Sequence, residues 1–139
     1  MQDTTQALPA GFTTTLILPA EIGAPLQGGI YVGPSFDPET GKITHLIAGE
    51  YLPDTTFLGA KKAAAAYRDG DLAGWRAPTK AEATAAALHA GKHFKSGYHW
   101  TSTPCGSYYA WFVSFEGGYV SIGARYHGFR FRPFRSLTA

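Results

Sequence analysis

The sequence predicts an α+β domain in which two helices pack on a mainly antiparallel sheet. Three observations predict it. The first third carries two β-branched and aromatic runs around a turn, the middle carries two alanine-rich stretches, and from Tyr98 the apolar pattern changes to a period of two.

Taken in order, residues 1–27 read as an N-terminal arm and strand, and residues 28–139 as the domain proper. The arm opens polar and proline-containing, then turns apolar and β-branched in "FTTTLIL", Phe12 to Leu18, which suits a strand. "GGIYVGPSF" and "KITHLIAGEY" are two further strands, and "DPETGK" between them supplies the turn residues of a hairpin.

The first helix is expected in "TTFLGAKKAAAAYRDG", with Thr55 or Thr56 as its cap. The second, "PTKAEATAAALHAGK", is better marked. Thr79 and Glu82 have the spacing of a capping box, in which each side chain satisfies a backbone donor of the first turn. Gly91 stands where a helix C-terminus favours a left-handed residue. Alanine bodies let both helices approach their neighbours closely.

In "YYAWFVSF", Tyr109, Trp111, Val113 and Phe115 alternate with Ala110, Phe112 and Ser114. Both sets are largely apolar, so this strand is expected to be central and covered on each side. "EGG" turns the chain, "YVSIGARY" returns, and "FRFRPFR" is expected as the third strand of a C-terminal antiparallel meander.

Composition narrows the function. The chain has 139 residues, 45% hydrophobic and 16% charged, with 14% aromatic, which is a globular and not a disordered make-up. A formal net charge of +2 gives no general case for nucleic acid. The stretch "HGFRFRPF" echoes an RNA-recognition strand, but Pro133 cannot donate within a central strand and the sequence ends a few residues later. Neither a secretory leader nor an apolar run long enough to span a membrane is recognisable. The protein is therefore expected in the cytoplasm of the producing cell or associated with a virion, with no nucleic-acid and no membrane partner.

Catalytic and metal patterns are weak. His89 and His93 are four apart, but Gly91 is expected to end the helix between them and the glutamate of an H-E-x-x-H motif is missing. Cys105 is the single cysteine, which leaves no intramolecular disulfide or cysteine metal cluster. The acidic residues form no calcium loop. No phosphate loop or nucleophile elbow occurs. No catalytic residue, metal or cofactor is expected.

The order "GWRAPTKAE", "YHWTST", "YAWFVSFEGG", "RFRPFR" resembles the bacterial and phage domain family named after the C-terminal domain of the Lcl collagen-like adhesin. The likeness runs from about Gly28 to Arg135; Ala77 stands where that family usually has leucine, and Phe134 where valine is common. It implies a C-type-lectin-like fold, shared with formylglycine-generating enzymes. It also assigns Trp75, Pro78, Thr79, Glu82, Trp100, Trp111 and Arg132 to the framework. Trp100 and Trp111 are expected to be largely buried, each with its indole N–H satisfied.

The resemblance does not settle function, which lives in the site and not the fold, but it leaves a recognition role as the leading reading. The enzymatic relatives use a cysteine pair or a metal set that this chain lacks, and the calcium motifs of sugar-binding lectins are missing. The expectation is a non-enzymatic recognition module, phage or prophage encoded, that binds a host protein or glycan. Its candidate face is Tyr98, Tyr108, Tyr119, Arg125, Tyr126, His127 and Arg130, residue types that dominate binding hot spots. The alternative is an intracellular inhibitor that binds and blocks a host defence protein; an oxygenase-like enzyme ranks below both. The apolar strand near the N-terminus could pair with a second copy and make a homo-oligomer.

Overall fold

In the computed structural model, residues 18–19, 21–69 and 72–138 are described. They form β1 (Pro25–Leu26), β2 (Gly29–Asp37), β3 (Lys42–Ala48), α1 (Phe57–Ala66), α2 (Lys80–Ala90) and a 3-10 turn (Gly91–His93). Then come β4 (Tyr98–Cys105), β5 (Tyr109–Ser114), β6 (Tyr119–Ala124) and β7 (Phe134–Thr138). One antiparallel sheet has the order β1-β2-β3-β7, the other β4-β5-β6. The α+β class expected from the sequence is the class observed. Of the strand expected over Phe12 to Leu18, only Leu18 is described, so that strand and the homo-oligomer built on it lie outside the described residues.

The β2–β3 hairpin forms where its turn chemistry requires. Asp37 Oδ1 accepts the Glu39 N–H at 2.9 Å, and Gly41 N donates to Asp37 O at 2.8 Å. β1 pairs with the start of β2, so residues 25–26 share the sheet of the main domain, and Leu26 is buried.

Both helices begin at the expected residues. Thr56 caps α1 by accepting from Gly59 N, and α2 carries the full capping box between Thr79 and Glu82. Arg76 extends that box with two 2.6 Å bonds to the Glu82 carboxylate. Thr79→Ala removes the acceptor for Glu82 N, with an expected loss of about 1 kcal/mol. Urea denaturation checks it; an unchanged midpoint would show that the cap contributes nothing.

Gly91 does not adopt the expected left-handed conformation. Its φ of −52° and ψ of −36° continue right-handed into the 3-10 turn. Glycine is needed there for space, since a Cβ would come within 2.9 Å of the Phe115 carbonyl oxygen.

The alanines set the layering. Ala83, Ala86 and Ala90 seat α2 between the two sheets, against Val32, Leu46 and Ala48 of the first and Val113 of the second. Ala60 and Ala64 seat α1 with Phe57 against Trp100, Ala110 and Phe112 on the opposite face of the β4–β6 sheet. β5 is thus the central strand of its sheet and is covered on both sides, as its alternation predicts. A third cluster, Leu26, Tyr31, Ile47, Trp75 and Leu137, packs on the first sheet.

The end of the chain departs from expectation. A three-strand meander exists, but its third strand is β4 and not the stretch 129–135. Phe129 bridges to Thr55, Arg130 makes a short parallel bridge to His99, and the chain then crosses to the first sheet, where β7 pairs with β3. Pro133 explains the crossing. It has no N–H for a ladder, while its carbonyl accepts Gly49 N at 2.8 Å and steers the backbone toward β3.

Candidate functional site

Two exposed tyrosines, Tyr98 and Tyr119, stand together on one face of the β4–β6 sheet, and strand register explains how. Tyr98 of β4 and Tyr119 of β6 both lie opposite Ser114 of β5. The small serine leaves room above it, and the two tyrosine rings stand 6.5 Å apart across three strands. In the next row, Trp100 and Ser121 flank Phe112. Tyr98 lies on Phe112 with centroids 4.3 Å apart.

Phe129 closes this face from the segment that precedes the crossing. Its ring is 5.5 Å from Tyr98, 5.2 Å from Phe112 and 4.6 Å from Trp100. It can approach the sheet this closely because residue 123 is glycine; a Cβ there would sit 3.0 Å from the Phe129 ring. His127 stacks on Phe129 at 5.5 Å with planes 14° apart, and Tyr126 follows at 4.7 Å. The rings of Tyr119, Tyr98, Phe129, His127 and Tyr126 therefore form a continuous path. Tyr98 is 46% exposed, Tyr119 58% and Tyr126 77%.

The remaining candidates occupy other places. Tyr108 is exposed on the β4–β5 turn, and its carbonyl accepts Arg125 N at 2.9 Å. Arg125 is half-buried; its guanidinium donates to Tyr109 O and Gly106 O and lies over the Phe57 ring. Its side chain ties the turn to the sheet. Arg130 runs beside Tyr98, donating its N–H to Tyr98 O and accepting Trp100 N, with its side chain next to Gly97. The sequence pattern missed Phe129 and Phe112 as part of the face. The signal was present in the register, because Ser114, Ser121 and Gly123 are the small residues that leave a sheet face open.

The framework positions divide. Trp100 is 1% exposed, and its indole N–H donates to Thr55 O at 3.0 Å and His127 O at 3.2 Å. Trp75 is buried edge-on to Tyr67. Pro78 is buried, and its carbonyl accepts Ser102 N at 2.7 Å. Trp111 is a correction. It is half-buried, Lys80 Nζ lies 3.7 Å from its ring centre, and its indole N–H has no partner among the described residues. Trp111 sits opposite Ile122 on the face that α2 covers at Val113, but at the end where the helix begins, so the Lys80 cation lies over it instead of the alanines.

A polar network lies beneath the sheet end. His99 Nδ1 is 2.9 Å from Gly97 O, which can only accept, so Nδ1 carries the proton. Nε2 then accepts the Tyr51 hydroxyl at 2.6 Å, and Tyr51 Oη accepts Lys95 N at 2.8 Å. Burial pushes the His99 imidazole down to about 4, against the Gly97 bond, with Arg130 and Arg132 adding to the depression. Burial raises the Tyr51 hydroxyl, partly offset by Lys95 and Arg132. His99, Tyr51 and the Lys95 N–H thus satisfy one another within the fold.

Among the described residues, no group of three or more His, Cys, Asp or Glu side chains could hold a metal ion. His89 and His93 each pack on a glycine of the first sheet's region, Gly33 and Gly23 respectively. No described helix is long and apolar enough to cross a membrane. Compared with protein-family models the chain matches none, and no curated protein matches it.

Proposed function

We propose that this protein is a non-enzymatic recognition module of C-type-lectin-like fold, similar to the Lcl C-terminal domain family, that binds a host protein or glycan. The observation that carries the reading is the unbroken path of rings from Tyr119 through Tyr98, Phe129 and His127 to Tyr126 on a rigid sheet. Aromatic side chains have few torsions, so contact with them costs little entropy, and the tyrosine hydroxyls add directional bonds. Two helices packed on antiparallel sheets agree with the fold proposed.

The binding face is Tyr98, Tyr119, Tyr126 and His127, with Arg130 at its border and Phe129 as its floor. Arg125 and Tyr108 support it from the turn. A glycan array and immobilised surface proteins of candidate host cells, probed under matched salt, test the reading. Paired Tyr98→Ala and Tyr119→Ala substitutions are expected to weaken capture by roughly 30-fold or more. Leu88→Ala, on exposed α2 surface, is expected to leave it unchanged. If the paired variant keeps its circular-dichroism melt and binds like wild type, the face is not the binding site. A tight one-to-one complex with a soluble host protein, through the same tyrosines, would identify an inhibitor rather than a surface adhesin.

A further inference from the structure

Arg132 is a buried cation that no carboxylate of the described residues neutralises. It is 9% exposed, its Nε donates to Gly49 O at 2.7 Å, and its Nη1 donates to His93 O at 2.9 Å. The rings of Tyr51 and Phe94 lie 4.8 and 4.7 Å from Cζ. The ion pair found among the described residues is Arg76 with Glu82, so Arg132 has no anionic partner there. Carbonyl dipoles and ring faces offset part of the desolvation, but buried charges are ordinarily paired. Burial accordingly pulls the guanidinium below its usual range.

Arg132 forms part of the wall of a cleft of about 400 Å³ between the β1–β2 hairpin and the end of β3, together with Leu26, Ile30, Ala48, Gly49 and Glu50. Its size suits a small molecule. The lip is the two-residue turn Gln27–Gly28, with φ of 41° and 84°. Both values are positive, as a two-residue hairpin turn between paired strands requires, so the lip is a fixed tight turn. Arg135 holds the turn by donating to Gln27 Oε1 at 3.0 Å. Glu50 follows Gly49, whose carbonyl Arg132 holds, and its exposed carboxylate makes no ion pair among the described residues.

We propose that this cleft binds a small zwitterion, of amino-acid to dipeptide size, with its carboxylate on Arg132 and its ammonium toward Glu50. A simple anion entering the cleft meets Glu50, and a simple cation meets Arg132. A dipolar ligand satisfies both charges, and the fold has already desolvated and oriented the guanidinium, so little is lost on binding. Leu26, Ile30 and Ala48 offer apolar wall to a small side chain.

Amide and arginine Nε–H chemical shifts of the full chain, titrated with L-alanine, L-leucine, alanyl-alanine, acetate and ethylamine at constant ionic strength, test this. Saturable shifts at Gly28, Gly29, Gly49 and the Arg132 Nε–H are expected with the zwitterions, and weaker ones with acetate. Arg132→Lys is expected to weaken zwitterion binding by about tenfold or more, since a point charge replaces a planar fork. Glu50→Gln, which leaves the buried network intact, is expected to weaken the zwitterions and strengthen acetate. No saturable shift with any zwitterion overturns the proposal. So does equal binding of acetate and alanine, or a Glu50→Gln variant that binds both as wild type does.

Discussion

Trp100→Ala is expected to cost about 3–5 kcal/mol, a large share of the ~5–15 kcal/mol that holds a typical domain folded. The ring is buried where α1, β4 and the segment before the crossing meet, edge-on to Phe57 at 5.7 Å and tilted on Phe129 at 4.6 Å. Its indole N–H also joins Thr55 O and His127 O, residues far apart in the chain. Alanine would leave a cavity and unpin the loop that carries Tyr126 and His127. Trp100→Phe separates the two effects, keeping most of the apolar volume and losing only the two bonds, for about 1–2 kcal/mol. Urea unfolding of both variants checks the pair. A Trp100→Ala loss no larger than that of Trp100→Phe would mean that the packing assigned to this ring is wrong.

Acidification is the second large effect. In the fold His99 is neutral and titrates near 4, against 6.5 for a free imidazole. The unfolded chain therefore takes up a proton that the folded chain refuses between those values. Stability from this residue is complete above about pH 6.5, falls as pH drops through that window, and is gone below about 4. At ~1.4 kcal/mol per unit of pKa difference, the loss amounts to about 3 kcal/mol. The imidazole is 3% exposed, so solvent screens little of it. His99→Gln, which can still bond Tyr51, is expected to be less stable near neutrality but to lose much less between pH 6.5 and 4. Parallel stability curves for the two proteins would remove His99 as the acid-sensitive group.

The local elements were legible in the residues. Thr79 and Glu82 announce a capping box and make one; Asp37 to Gly41 announce a hairpin turn and make one. These features depend on contacts within a few residues, where side-chain chemistry and backbone geometry decide together. The central position of β5 was legible for the same reason, because a strand apolar on both faces has to be covered on both.

Partner choice was not legible. The Phe129–Arg135 stripe alternates as a strand does, yet half of it leaves one sheet and joins another, because Gly49 and β3 offer bonds that no local pattern encodes. Trp111 and Trp100 look alike in sequence, and only the reach of α2 and the approach of Phe129 make one half-open and the other sealed.

By itself, then, the sequence determined where helices cap, where hairpins turn and which strands carry two apolar faces, since those follow from interactions between near neighbours. Only the tertiary structure decided that Tyr98, Tyr119, Phe129, His127 and Tyr126 share one surface, and that Arg132 is buried in the wall of a cleft with no ion-pair partner among the described residues. Both depend on register and on a crossing between sheets, which join residues far apart in the chain.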